Sequence, residues 1–205
     1  MIELVNVNKE LKKKQVLKDI NLKINEGERI LLKGHNGCGK TMMLRMLCGL
    51  IKPSNGEIKK TKDYTYGVII ENPNFLMSET ALYNLRYLAS INKKISDDVI
   101  MDFLKEFNLY DVKDKKVKTF SLGMRQRLAI IQALMESPDV LLLDEPFNAI
   151  DDKNLDVVVN ALLRYSKDDN IIVIAAHGVS EKEDIFNRTI VMSDGNITED
   201  TEKTV

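Results

Sequence analysis

The 205-residue chain has no long apolar run: "VLLL" and "IIVIAA" fall far short of the roughly 20 residues that cross a bilayer. A membrane role would therefore need a partner. Cysteine is scarce, and Cys38 and Cys48 make no disulfide framework; free thiols in a cytoplasmic protein are the simpler reading. Neither sign of charge dominates, with 30 basic residues against 31 acidic ones, so bulk electrostatics gives no reason to expect nucleic acid as a partner. The opening "MIELVNVNKE" lacks the basic start and apolar middle of a secretory leader. There is no internal repeat and no low-complexity linker. The length suits one domain with a substantial core, or a core carrying an inserted subdomain.

The first third alternates apolar and polar residues as half-buried strands do, in "IELVNVN" and "VLKDINLKI". The lysine run "KELKKKQ" between them reads as a solvated hairpin tip. "RILLKG" is a buried-type strand running into a glycine-rich loop, and "KTMMLRMLCGL" beyond it is an apolar helix ending near Gly49. "KPSNGEIKK" reads as a turn and "YGVII" as a strand. From Ser78 to about Met135 the pattern is helical, and Ser96 is the expected N-cap of "SDDVIMDFLKEF". The last third alternates again: strand "DVLLLDEP", helix "DKNLDVVVNALLRYS", strands "IIVIAAH" and "TIVMSDG", and a polar tail "EDTEKTV" expected to be loose. Strand–helix alternation predicts an α/β fold with a parallel sheet, into which the helical middle is inserted.

Two stretches carry chemistry. "GHNGCGKT", residues 34–41, fits the P-loop pattern G-x-x-x-x-G-K-[ST], with a strand before it and a helix after it. In that reading the backbone N–H groups from Gly34 through Asn36, Gly37, Cys38 and Gly39 cradle phosphate oxygens, helped by the helix N-terminus. Lys40 reaches the β- and γ-phosphates, Thr41 ligates Mg²⁺, and Met42 borders the nucleotide. The bland alternative is a glycine-rich turn with a chance G-K-T. "VLLLDEP", residues 140–146, puts Asp144 and Glu145 at the carboxyl end of a buried strand, where α/β sheets bind ligands. Asp144 would hold Mg²⁺ and Glu145 would act as general base toward water; otherwise they are a solvated pair of acids.

These residues, with "FSLGM", "NAIDD" and "VIAAHG" following in order, resemble the nucleotide-binding subunits of ABC transporters over essentially the whole chain. "FSLGM" is similar to the LSGGQ signature, Asp151 to the D-loop aspartate and His177 to the H-loop histidine. The resemblance implies a P-loop RecA-like core, an N-terminal antiparallel β subdomain and an inserted α-helical subdomain. The chain would be a single domain over 1–205, with core and β subdomain in 1–72 and 136–205 and the helical subdomain at about 73–135. It implies ATP and Mg²⁺ as cofactors, with a second ATPase subunit in a head-to-tail dimer. Ser121, Leu122 and Gly123 would then serve the ATP bound to the other subunit; Ser121 could equally be a plain helix cap. His177 would hydrogen-bond the γ-phosphate. The partner implied is a polytopic membrane permease, and the place is cytoplasmic, at the inner face of the cell membrane.

Four positions depart from the family pattern. Glu71 stands where a glutamine is usual and is expected as a third Mg²⁺ ligand; a solvent-facing loop residue is the alternative. "ENPNF" with "SLGMRQRL" is similar to the ATPases of bacitracin- and lantibiotic-resistance exporters. Leu11 falls at or near the place of the adenine-stacking aromatic. Cys38 inside the P-loop is expected to be small filling or a reactive thiol. His35 stands where proline is common and is expected to have no catalytic part. Phe75, Leu76 and Met77 read either as core or as contacts to the permease. The competing reading is a soluble ABC ATPase acting on ribosomes or DNA. A kinase or GTPase fits less well, because an acceptor lid and an N-K-x-D motif are both missing.

Overall fold

The computed structural model describes residues 1–71, 74–166, 169–176 and 184–203. Two long N-terminal strands, Ile2–Leu11 (β1) and Lys14–Ile24 (β2), pair antiparallel through a two-residue turn. Both turn residues, Lys12 and Lys13, have positive φ, as a tight hairpin of the right twist requires. The lysine run is thus the hairpin tip. The register slips at several points between Leu4 and Glu10, so the hairpin is bulged.

A third strand, Asn55–Lys60 (β4), pairs with the other edge of β1. This corrects the reading of "KPSNGEIKK" as a turn alone. Only Ile58 in it is even half-buried, so no apolar alternation marks it as a strand.

The second sheet has six strands: Arg29–Lys33 (β3), Tyr66–Ile69 (β5), Val140–Asp144 (β6), Ile171–Ala175 (β7), Arg188–Ser193 (β8) and Asn196–Glu202 (β9). Their order is β5-β6-β7-β3-β8-β9, parallel except for the last pair. The tail expected to be loose is therefore an edge strand as far as Glu202. Arg188, buried at its start, is held by Asp200 and Glu28, which raise its pKa further still.

Helix Lys40–Leu47 (α1) follows β3. Ala81–Asn92 (α2), Asp97–Glu106 (α3) and Leu122–Leu134 (α4) lie between β5 and β6 in sequence, and Asp152–Tyr165 (α5) between β6 and β7. Thr80 caps α2 by accepting from the Tyr83 N–H. Ser96 occupies the cap position of α3 but makes no capping bond through its side chain. There the first-turn acids Asp97 and Asp98 face the positive end of the helix dipole.

Alternate residues of the central strands enter two cores. Leu31, Leu141, Leu143, Ile172 and Ile174 pack against α2–α5. Ile30, Leu32, Leu142 and Val173 pack with α1 and the antiparallel sheet. Each such fully buried side chain contributes about 1.5–3 kcal/mol of burial energy. Because β3, β6 and β7 are parallel and in register through Leu32, Ala175 and Asp144, the P-loop and Asp144 emerge on the same sheet edge.

Candidate functional site

On that edge lies a cavity of about 570 Å³. From the P-loop side it is lined by Asn36, Gly37, Gly39, Lys40, Thr41 and Met42, and from the ends of β5 and β6 by Glu71, Asp144 and Glu145. Leu122 and Gln126 of α4, Val16 of β2 and Asn148 complete it.

The P-loop is tightly built. Lys40 is buried, and its ammonium donates to the Gly34 carbonyl at 2.6 Å and to the His35 carbonyl at 3.3 Å. Gly34 has φ +147°, and a Cβ there would sit 2.2 Å from the Met192 carbonyl oxygen, so no other residue fits. Gly34 and Cys38 are not among the lining residues. The Cys38 thiol is buried in the core beneath the loop, which corrects the expectation of a reactive cysteine: reagents have no access to it. His35 is exposed and sits 3.7 Å from Asp194, away from the cavity wall.

The Thr41 hydroxyl donates to the Asp144 carboxylate at 2.6 Å, and the pair faces the cavity. Among the described residues no three His, Cys, Asp or Glu side chains form a metal-binding group. A cation here would rely on hard oxygen donors of mixed kind, the hydroxyl, the carboxylate and phosphate oxygens, which suits Mg²⁺. Glu145 follows with φ 49° and donates its N–H to the Ala175 carbonyl at 2.7 Å. A left-handed backbone at a bulky acid is uncommon and held only by its surroundings. Glu71 shares the feature, with φ 62°. Its carboxylate is engaged by Arg45 of α1, at 2.6 Å.

Leu11 does not line the cavity. It pairs with Lys14 at the hairpin tip and is 40% exposed, and the apolar residue this hairpin supplies is Val16.

The α4 N-terminus completes the picture. The Ser121 hydroxyl accepts from the Met124 N–H, so it is the helix cap, and Leu122 is 56% exposed. Gly123 is demanded from within the chain: a Cβ there would lie 2.4 Å from the Ala149 carbonyl oxygen. One turn further along α4, Gln126 donates to the Glu145 carbonyl at 3.4 Å and buried Arg127 donates to Asn154 at 2.8 Å. Asn154 in turn holds Asp151, the N-cap of α5, through its side-chain amide and backbone N–H, which keep the Asp151 carboxyl below the usual range. Arg45, Val16, Gln126, Arg127 and Asn154 were not legible as site residues, since each is defined only by a contact across the fold. His177 lies outside the described residues.

The ABC transporter family model matches residues 17–148. The ABC transporter ATP-binding protein YybJ of Bacillus subtilis (strain 168) is 43% identical over 196 residues, covering 91% of this chain and 88% of that protein. The bacitracin transport ATP-binding protein BcrA of Enterococcus faecalis is 33% identical, over 98% of this chain and 68% of its own length. Among solved structures, the dimeric post-hydrolysis state of the ATP-binding cassette MJ0796, bound to ADP and Pi, matches with a TM-score of 0.88 and 25% identity across the whole of both chains. The chain belongs to the ABC transporter family.

Proposed function

We propose that this ABC-family ATPase powers a separate membrane permease, closing head-to-tail on a second copy around two ATP molecules and reopening after hydrolysis. The observation that carries the reading is the meeting of Lys40, Thr41, Asp144 and Glu145 at one cavity, beside the N-terminus of α4. The backbone N–H groups of Asn36, Gly37 and Gly39 and the Lys40 ammonium bind the phosphates. Mg²⁺ held by Thr41 and Asp144 would neutralise phosphate charge when bound. Glu145 takes a proton from the attacking water, a contribution typically of about 10²–10⁴ in rate. The exposed start of α4, from Ser121 to Gly123, offers its N–H groups to the nucleotide of the other subunit, and Asp151 lies beside that joint.

The permease contact is assigned to α2. Tyr83, Tyr87 and Ile91 stand one turn apart, 48%, 51% and 65% exposed, with the two tyrosine rings stacked. Leu76 and Met77 are exposed beside them in sequence, whereas Phe75 is buried in the core. Among the described residues no helix is long and apolar enough to cross a membrane. The proposed place is cytoplasmic, at the inner face of the cell membrane, and the similarity to a bacitracin transport protein favours export. The test is Glu145→Gln with ATP and Mg²⁺: hydrolysis falls at least about a hundredfold and a stable dimer accumulates in light scattering. A variant that stays monomeric with saturating ATP overturns the closing-dimer reading.

A further inference from the structure

Among the described residues lining the cavity, the carboxylates of Glu71, Asp144 and Glu145 face one ammonium, that of Lys40. A nucleoside triphosphate brings further negative charge into the same space. Asp144 is engaged by the Thr41 hydroxyl, which is neutral. Glu71 is different, because its partner is a full charge: the Arg45 guanidinium, 2.6 Å away. Arg45 is not itself a lining residue. It sits on α1 one turn beyond Thr41, so the helix that presents the P-loop also presents the counter-charge. The side chains are 31% and 63% exposed, and an ion pair so open to water adds little to fold stability. Its effect falls on the charge that the cavity shows to a ligand and on the direction in which the Glu71 carboxylate points.

We infer that Arg45 is a positioning residue of the nucleotide site: its guanidinium neutralises Glu71 and draws that carboxylate aside from the path of the triphosphate. This rests on the nucleotide-site reading above. It also accounts for a chain that carries Glu at this loop: the acid is admitted because an arginine one helical turn past the P-loop threonine cancels it. The role differs from phosphate binding, because Arg45 acts only through Glu71.

The test is a binding cycle, with ATP affinity measured by titration calorimetry in EDTA at low salt for the unaltered chain, Arg45→Gln, Glu71→Gln and the double variant. Arg45→Gln is expected to weaken ATP binding about two- to fivefold, the scale of one partly exposed charge pair. Glu71→Gln is expected to tighten it, and in that background adding Arg45→Gln costs clearly less than it does alone, because only a distant charge is lost and no carboxylate is freed to turn toward the triphosphate. The Arg45→Gln effect shrinks as salt is raised from about 0.01 to 1 M. If Arg45→Gln weakens binding equally with and without Glu71, Arg45 contacts the nucleotide itself or supports the fold, and the inference fails. If Arg45→Gln binds ATP as the unaltered chain does, it fails too. Should Arg45→Gln not fold alone, Arg45→Met removes the same charge and reads the same cycle, with its loss again reduced by Glu71→Gln. An unaltered chain that binds no ATP would instead overturn the nucleotide-site reading on which the inference rests.

Discussion

The P-loop end of the cavity and the α4 end are built on opposite terms. At the P-loop the polar groups are engaged within the chain: the Lys40 ammonium on Gly34 and His35 carbonyls, the Thr41 hydroxyl on Asp144. The loop is shaped in advance, and a nucleotide has only to exchange places with contacts already aimed at it. At the α4 end the cap and the packing are internal, but Leu122 stands 56% exposed at the rim of the cavity. One end is closed on its own chain; the other is the surface that the proposed dimer would cover. A dimer that opens and closes with ATP needs that asymmetry, since a surface satisfied within its own chain would gain nothing by docking.

The largest expected effect comes from Gly123→Ala. The added methyl meets the Ala149 carbonyl oxygen at 2.4 Å, so either α4 or the loop before α5 must shift. Overpacking of this kind costs about 1–3 kcal/mol, or a fall in Tm of roughly 2–4 °C for each kcal/mol in a chain of this size. Dimer formation with ATP should fail, while the monomer's ATP affinity, set at the P-loop end, stays within about twofold. Unchanged Tm and intact dimerisation would mean that the two ends are not separated in this way.

A smaller effect tests the P-loop end. Val16→Ala removes two carbons of apolar cover from the cavity and should weaken ATP binding about four- to fifteenfold, from roughly 0.8 kcal/mol per CH₂ group as one or both are buried by the nucleotide. Leu11→Ala, at the hairpin tip, should change it by less than about twofold. The reverse ranking in calorimetric titration would restore Leu11 to the site.

The smallest effect is a pH dependence at the α4 end. Asn154 holds the Asp151 carboxyl below the usual range, so the native state binds its proton less readily than the unfolded chain does. The stabilisation is present above the ordinary aspartate pKa of about 3.9 and is lost as pH falls through the lower native value. Between about pH 5 and pH 3 the unaltered chain should therefore lose more urea-unfolding stability than Asp151→Asn does. Equal losses would leave Asp151 without this linkage.

What was legible in the sequence follows the same division. Lys40, Thr41, Asp144 and Glu145 were readable because a strand, a loop and a helix stand consecutively in the chain, and a buried apolar strand announces where its end must lie. The polar edge strands β4 and β9 were not, because "NGEIKK" and "NITEDTE" have almost nothing to bury and are strands only through their partners. Gly123 was legible as a glycine but not for its reason, since Ala149 is distant in sequence. The Arg45–Glu71 pair joins residues 26 apart across two elements, and a charged side chain by itself does not name its partner.

Gly195 also sets an order of assembly. Its N–H donates to the Cys38 carbonyl inside the P-loop, its carbonyl accepts from the Lys18 N–H, and β3 lies between β7 and β8. A chain leaving the ribosome at about 5–20 residues per second would expose its phosphate loop roughly eight to thirty seconds before residue 195 arrives. Strands β7 and β8, which flank β3, are made only shortly before residue 195, and the loop lacks its last hydrogen bond until Gly195 itself arrives. The part of the molecule written early in the chain, and most finished in the fold, is among the last to be completed during synthesis.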